Sequence, residues 1–342
     1  MTESPNRLLN TKSRILFIRT DRLGETLLNL PAVAALQAAL PDGSVSLLVH
    51  PELAPLLAEV PGLAGVLTAP TAGGAWWARA WRLGRSLSPH RFDCAIVSNP
   101  KKELHAAVWL AGIPVRVGYG RKWGCLLTRR LVDRKALGER HEVEYNLDLV
   151  RVLDLPARAL PWHFPPFSRE QAELFRLPEL RDLQPSEPLL AVHPFSSAPL
   201  KRWPAERYRE LIRRLAAQRR GSVVVVGGPE ERHGVPAVLP AEAGAVDLVG
   251  RLTLRQLAAL FQRARLLVSN DSGPVHLAAA VGTRTVVLFG AARPAAGPAR
   301  WGPWGPGHAV IAKSRLEEIA VEDVEEAVRG MLSCPHPTPS SS

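Results

Sequence analysis

Twice along its length the chain alternates short β-branched runs with alanine- and leucine-rich segments of helical period, and that alternation leaves few folds open. Residues 14–18 (Arg-Ile-Leu-Phe-Ile), 45–49, 94–97 and 115–120 read as strands. Between the first two lies segment 27–40, apolar along one helical face, and strand, helix, strand in that order is the signature of a parallel sheet. The second half repeats the scheme with strands at 189–193, 222–226, 266–269 and 285–289 and helices at 205–218 and 254–264. The fold class is therefore α/β, with two doubly wound parallel sheets. Between the halves the chain turns proline-rich, at Pro161, Pro165, Pro166, Pro185 and Pro188, and prolines at that density break helix and strand alike. The expected organisation is a first domain over 12–165, a proline-rich linker over 166–187, a second domain over 188–332 and a disordered tail over 333–342. A length of 342 residues agrees with two domains of roughly 150 each. Two such sheets facing a shared cleft would direct the carboxyl ends of their strands into it, where ligands bind in these folds.

Composition narrows the class. With 46% hydrophobic and 22% charged residues, each half can bury its own core, so disorder is expected only at the ends. No apolar run approaches the roughly 20 residues of a membrane span, and the first residues, Met1 to Arg7, lack an apolar signal core. A cytoplasmic protein is the expectation. Cys94, Cys125 and Cys334 are scattered and form neither a disulfide framework nor a metal-ligand spacing. The formal charge of +11 calls for an anionic partner. With no zinc finger, helix-turn-helix or aromatic-interleaved basic platform, that partner is not expected to be nucleic acid.

The most informative local stretch is Val268-Ser-Asn-Asp-Ser-Gly-Pro-Val-His276, which reads as a strand, a tight turn and a helix. Gly273 frees the turn, Pro274 suits a first helical position, and the amides of that opening turn have no intrahelical partners. Asp271 and Ser272 precede them and His276 follows within a turn, an arrangement suited to phosphate and hence to a nucleotide diphosphate. After the first strand of the same half comes His193-Pro-Phe-Ser-Ser-Ala-Pro-Leu-Lys-Arg-Trp-Pro204. Ser196 or Ser197 offers a hydroxyl there, and Lys201 a compact positive charge for phosphate. After the next strand, Gly227-Gly-Pro-Glu-Glu permits a tight exit, and Glu230 or Glu231 is placed to accept hydrogen bonds from a ribose or base edge. In the first half, the loop Arg19-Thr-Asp-Arg-Leu-Gly-Glu-Thr26 sets Glu25 at a helix start, either as a general base or as a complement to the helix terminus. With a single glycine it is not a dinucleotide fingerprint, nor is it a Walker loop.

Taken in order, these segments resemble glycosyltransferase family 9, the ADP-heptose:lipopolysaccharide heptosyltransferases, across nearly the whole chain. The family's Asp-Ser/Thr-Gly-x-x-His is matched by Asp271-Ser-Gly-Pro-Val-His276, with supporting agreement at 19–31, at Lys201-Arg-Trp-Pro204 and at Gly227-Gly-Pro-Glu230. The resemblance implies the GT-B fold, two Rossmann-like domains around a central cleft, with the nucleotide sugar on the second domain and the acceptor on the first. It implies that Asp271, Ser272, Gly273 and His276 hold the donor's diphosphate and sugar, that Lys201 with Ser196 or Ser197 meets the phosphates, and that Glu230 holds the ribose. Glu25 stands where the family carries an aspartate base. Inverting transfer of heptose from ADP-heptose to the lipopolysaccharide inner core follows, with Glu25 and Lys201 catalytic, no cofactor beyond the ADP-sugar substrate and no metal. The acceptor would be an anionic lipid-linked saccharide docked near Arg19, Lys101, Lys102, Arg121 and Lys122, within a basic set that also includes Arg116, Arg129 and Arg130. Peripheral contact with the cytoplasmic face of the inner membrane extends that reading. Two alternatives stay open: a nucleotide-sugar-binding protein without transferase activity, and another enzyme with two Rossmann-like domains, such as a nucleotide-sugar epimerase or a GT-B transferase for a different sugar or acceptor.

Overall fold

The computed structural model describes residues 9–70, 73–160, 162–180, 188–218, 221–239, 244–290 and 293–333, in two compact units, Met1–Phe164 and Pro165–Ser342. The first unit runs β1 (Arg14–Arg19), α1 (Leu23–Leu27), α2 (Leu30–Ala39), β2 (Ser44–Val49), α3 (Ala54–Leu57) and β3 (Leu63–Thr68). It continues with α4 (Trp76–Leu87), β4 (Cys94–Val97), α5 (Lys102–Leu110), β5 (Val115–Tyr119), β6 (Arg129–Leu131) and α6 (Glu142–Arg151). The second begins with α7 (Ser168–Leu174), β7 (Leu189–His193), α8 (Ala205–Ala217), β8 (Ser222–Val225), α9 (Val235–Val238), β9 (Val246–Asp247) and α10 (Leu254–Arg263). It closes with β10 (Ala264–Asn270), α11 (Gly273–Ala280), β11 (Arg284–Gly290), α12 (Pro298–Trp301), β12 (His308–Lys313) and α13 (Val321–Ser333).

Each unit is built on a six-stranded sheet, β3-β2-β1-β4-β5-β6 in the first and β12-β11-β10-β7-β8-β9 in the second, with every pairing parallel. Read from either sheet's first strand, the order is the same doubly wound one. The strand order reverses between β1 and β4 in one unit and between β7 and β10 in the other, and such a switch point opens a crevice at the strands' carboxyl ends. The central strands are apolar without alternation because helices cover both faces: Ile15, Leu16, Phe17 and Ile18 are all buried, as are Leu190, Ala191 and Val192.

Two expectations change. The helix expected over 27–40 starts later, as α2 at Leu30, and the separate short helix α1 precedes it across Leu28-Asn29. Pro31 has no N–H to give and falls in the first turn of α2, so the helix must restart just before it. Asn29 steadies the break by donating Nδ2 to the Glu25 carbonyl at 2.6 Å. The expected linker over 166–187 is also partly ordered. α7 lies within it, its buried Glu170 bonded to Arg255 of α10 at 2.7 Å, while Gln262 of α10 accepts the Phe167 N–H at 2.9 Å. Proline ends strands here without preventing a short helix that α10 holds in place. Residues 181–187 of that linker and 334–342 of the expected tail lie outside the described residues.

Candidate active site

In the second unit the candidate residues gather at the switch point. β7 and β10 pair in register with His193 beside Ser269, and the chain leaves β10 through Asp271 into α11, whose second residue is Pro274. Asp271 is buried, and its Oδ2 lies 2.5 Å from Lys201 Nζ. Lys201 ends a short turn, Pro199–Lys201, which is held from two sides. Asn270 Oδ1 accepts the Trp203 N–H at 3.0 Å while its Nδ2 donates to the Pro194 carbonyl at 3.0 Å. Trp203 is buried, donates Nε1 to the Ile319 carbonyl at 3.0 Å and meets Tyr208 edge-on at 4.9 Å. The lysine is thus carried to the start of α11 by a loop anchored in the core. His276 is buried within the first turn and a half of that helix.

The two serines separate. Ser196 is buried and its Oγ accepts the Ala198 N–H at 3.3 Å, shaping the loop, whereas Ser197 is exposed. The two glutamates separate as well. Glu231 Oε2 accepts the Gly228 N–H at 2.7 Å and lies 3.4 Å from His193 Nε2, while Glu230 is exposed. Burial pushes the Glu231 carboxyl up, but the hydrogen bond and charge of His193, with the Gly228 N–H, outweigh it and hold the group below its ordinary value. Gly227 is needed for this approach, since a Cβ there would stand 2.8 Å from Glu231 Oε2 and from the Phe195 ring.

His193 and Asn270 carry no motif of their own in the sequence, yet they organise the site. His193 Nδ1 lies 3.1 Å from Ser269 Oγ and 3.2 Å from Ser272 Oγ. A part-buried polar chain centred on buried His193 therefore joins the turn before α11 to the loop after β8 through Ser272, His193 and Glu231. Such chains are worth most when every member is bonded. The signal available was positional: both residues end strands at the switch point.

In the first unit the loop after β1 is anchored by charge. Arg19 is buried, with Nε 2.6 Å from Asp21 Oδ1 and Nη1 3.6 Å from Glu142 Oε1. Glu142 also meets Lys135 Nζ at 2.5 Å, and that ammonium lies 4.6 Å over the Tyr119 ring. Arg19, expected as an acceptor contact, braces this loop, its guanidinium facing the Asp21 and Glu142 carboxylates. Glu25 stands in the first turn of α1, part-buried, its Oε1 accepting from Arg22 Nη2 at 2.7 Å. Lys101, after β4, reaches back to Thr20 Oγ1 at 3.3 Å, so the two switch-point loops meet. Lys102 lies over the Trp76 ring at 4.6 Å. Arg121 pairs with Asp133 at 2.7 Å, and Lys122 is exposed beside Trp123. Arg116 leaves the basic set: it donates to the Leu126 and Ile113 carbonyls and ties loops together.

Among the described residues no cluster of His, Cys, Asp and Glu side chains is arranged to hold a metal ion, and no helix is long and apolar enough to cross a membrane. Burial pushes the Cys94 thiol far up, as expected of an inert core cysteine.

The family model for glycosyltransferase family 9 (heptosyltransferase) matches residues 80–327, well over half of the chain. The chain belongs to this family. It is a glycosyltransferase, and its two sheets form the GT-B fold. Lipopolysaccharide heptosyltransferase 2 of Escherichia coli is 28% identical over 295 residues, which are 82% of this chain and 84% of that protein. The solved structure of E. coli ADP-heptose lps heptosyltransferase II superposes with a TM-score of 0.79 at 24% identity, covering 93% of this chain and 98% of the other. A glycosyl transferase family 9 structure from Veillonella parvula gives a TM-score of 0.83 at 21% identity, covering 94% and 97%. The span matched to family 9 includes Asp271 to His276, at the switch point of the second sheet.

Proposed function

We propose that this family 9 enzyme transfers heptose from ADP-heptose to the lipopolysaccharide inner core with inversion at the anomeric carbon. The observation that carries the reading is the Lys201–Asp271 pair at the start of α11, with exposed Glu230 after the neighbouring strand β8. A diphosphate at that helix start meets the Gly273 N–H, the Lys201 ammonium and the exposed Ser197 hydroxyl. Glu230 then accepts from the ribose, since Glu231 is committed to Gly228 and His193. The relatives named above act on ADP-heptose and lipopolysaccharide by name, which supports the same donor and acceptor here.

In the reaction an acceptor hydroxyl oxygen attacks the anomeric carbon, the bond from that carbon to the β-phosphate oxygen breaks, and ADP leaves with the electron pair. The hydroxyl proton passes to the Glu25 carboxylate. Lys201, His276 and the amides of α11 stabilise the charge growing on the departing phosphate, as preorganised donors do. These groups take the place of a metal, so EDTA is expected to leave the rate unchanged. Lys101, Lys102 and Lys122 meet the phosphates or acidic sugars of the lipid-linked acceptor, and the enzyme works in the cytoplasm against the inner membrane.

The pairing of Glu25 with Arg22 favours a second reading, in which the chain binds the nucleotide sugar without transferring it. Incubation with ADP-heptose and a heptose-free core acceptor separates the two. Wild type releasing ADP, and Glu25→Ala releasing far less, supports transfer; binding of ADP-heptose with no turnover in either supports the second reading.

A further inference from the structure

We infer that the exposed face of α4, extended by the end of α5, docks on the surface of an anionic phospholipid bilayer. The inference deepens the membrane contact proposed above and rests on it only for location, because the side chains varied to test it, Trp77, Trp81, Arg82 and Arg85, are different ones. The chain has nine tryptophans. Four of them, Trp77, Trp81, Trp109 and Trp123, are at least half exposed, and all four fall in one stretch of the first unit. Single apolar side chains on a surface need no account, but a cluster of indoles does.

The cluster is built by helix geometry. Trp77, Trp81 and Arg85 follow at four-residue intervals on α4 and stand along one stripe, with the Arg85 guanidinium 4.9 Å from the Trp81 ring centre. The flanking stripe, Ala80, Leu83, Gly84 and Leu87, is buried. Gly84 lets α5 approach closely: a Cβ there would stand 2.9 Å from Leu110 Cβ and 3.0 Å from the Ala107 carbonyl. Leu110, itself 45% exposed, therefore carries the apolar strip across to α5, where Trp109 adjoins it in the chain. At the other end of the pair, Trp76 meets Trp123 edge-on at 4.8 Å beneath Lys102.

Charge selects the occupant. Across residues 73–112 the basic side chains are Arg79, Arg82, Arg85, Arg91, Lys101 and Lys102, and the carboxylates are Asp93 and Glu103. Both carboxylates are engaged, Asp93 by the Arg14 N–H at 2.7 Å and Glu103 by Arg79 at 2.6 Å. Indoles flanked by arginines, with no carboxylate left over, fit a lipid headgroup layer, in which aromatic rings settle and guanidinium groups meet phosphates. A second copy of the same face would set like charges against like.

Sedimentation of the full chain with vesicles tests this without any sugar nucleotide. Wild type is expected to pellet with phosphatidylglycerol–phosphatidylethanolamine vesicles, far less with phosphatidylcholine alone, and less as salt is raised. The double variant Trp77→Ser/Trp81→Ser should weaken partitioning by about tenfold or more, and Arg82→Gln/Arg85→Gln by about fivefold per charge removed. Release of ADP with an acceptor stripped of its acyl chains should be the same in wild type and both variants. The inference is overturned if wild type does not pellet at low salt, or if both variants pellet like wild type. It is equally overturned if Trp77→Ser/Trp81→Ser only splits a dimer on gel filtration and leaves vesicle binding intact. Vesicle binding as expected, with no ADP release by wild type, would instead sink the donor reading and leave the surface standing.

Discussion

Lys201 and Glu231 show how single side chains divide the work at the donor site. Lys201 is half exposed and held against Asp271, which under the proposed function presets its ammonium for the charge that grows as ADP leaves. Lys201→Ala should lower kcat by about a hundredfold, the usual cost of removing one preorganised donor, as steady-state assays would show. Glu231 acts on stability instead. A carboxyl held below its ordinary value in the folded protein stabilises it fully above that value, and the contribution disappears as pH falls through the depressed one. Thermal melts of wild type should therefore lose stability more steeply below the ordinary carboxylate value than melts of Glu231→Gln, with parallel curves near neutral pH. The sequence left Glu230 and Glu231 undecided because both follow the same glycine pair. Only folding reveals that Gly227 opens space for one of them while the other faces out. His193 was illegible for a similar reason, since its partners Ser269 and Ser272 lie 76 and 79 residues away.

At the scale of elements, the donor site depends on anchors behind it. Trp203 fixes the Lys201 turn to the core, so Trp203→Ala should cost about 3–5 kcal/mol in chemical denaturation and weaken ADP binding as well. Asn270→Ala leaves the Trp203 N–H and the Pro194 carbonyl without their side-chain partner and should cost about 1–3 kcal/mol. The strands legible from sequence were the eight central ones, and those not anticipated, β3, β6, β9 and β12, are the four edges of the two sheets. An edge strand in a parallel sheet is covered less completely, so it lacks the unbroken apolar run that marks its neighbours. β3 and β12 are only partly buried and β6 is largely exposed. The active-site segments, by contrast, follow central strands, which is why they could be placed before the fold was known. The helix over 27–40 was read as starting at Leu27 because its apolar periodicity runs through Asn29, although Pro31 marked the true start at Leu30.

For the whole molecule, the two units repeat one topology, with the Asp271–His276 turn and Lys201 on the second and Glu25, Lys101, Lys102 and Lys122 on the first. If the donor site is contained in the second unit, ADP should stabilise that unit selectively. Calorimetry is expected to show ADP at a hundred times its Kd adding about 2.7 kcal/mol to the stability of Pro165–Ser342, with Met1–Phe164 moved far less. The positive charge of +11, which sequence alone could assign only to some anion, resolves into groups with different duties: Arg19 and Arg116 are structural, Lys201 sits at the donor turn, and Arg82 and Arg85 lie on the tryptophan face. The central claim is that the start of α11 holds the diphosphate of an ADP-sugar. A crystal structure with ADP and an inert heptose analogue tests it most directly. The diphosphate is expected against the Gly273 N–H at the start of α11, within hydrogen-bond reach of Lys201 and Ser197, with the ribose on Glu230. Nucleotide bound elsewhere, or with its phosphates turned away from α11, would contradict it.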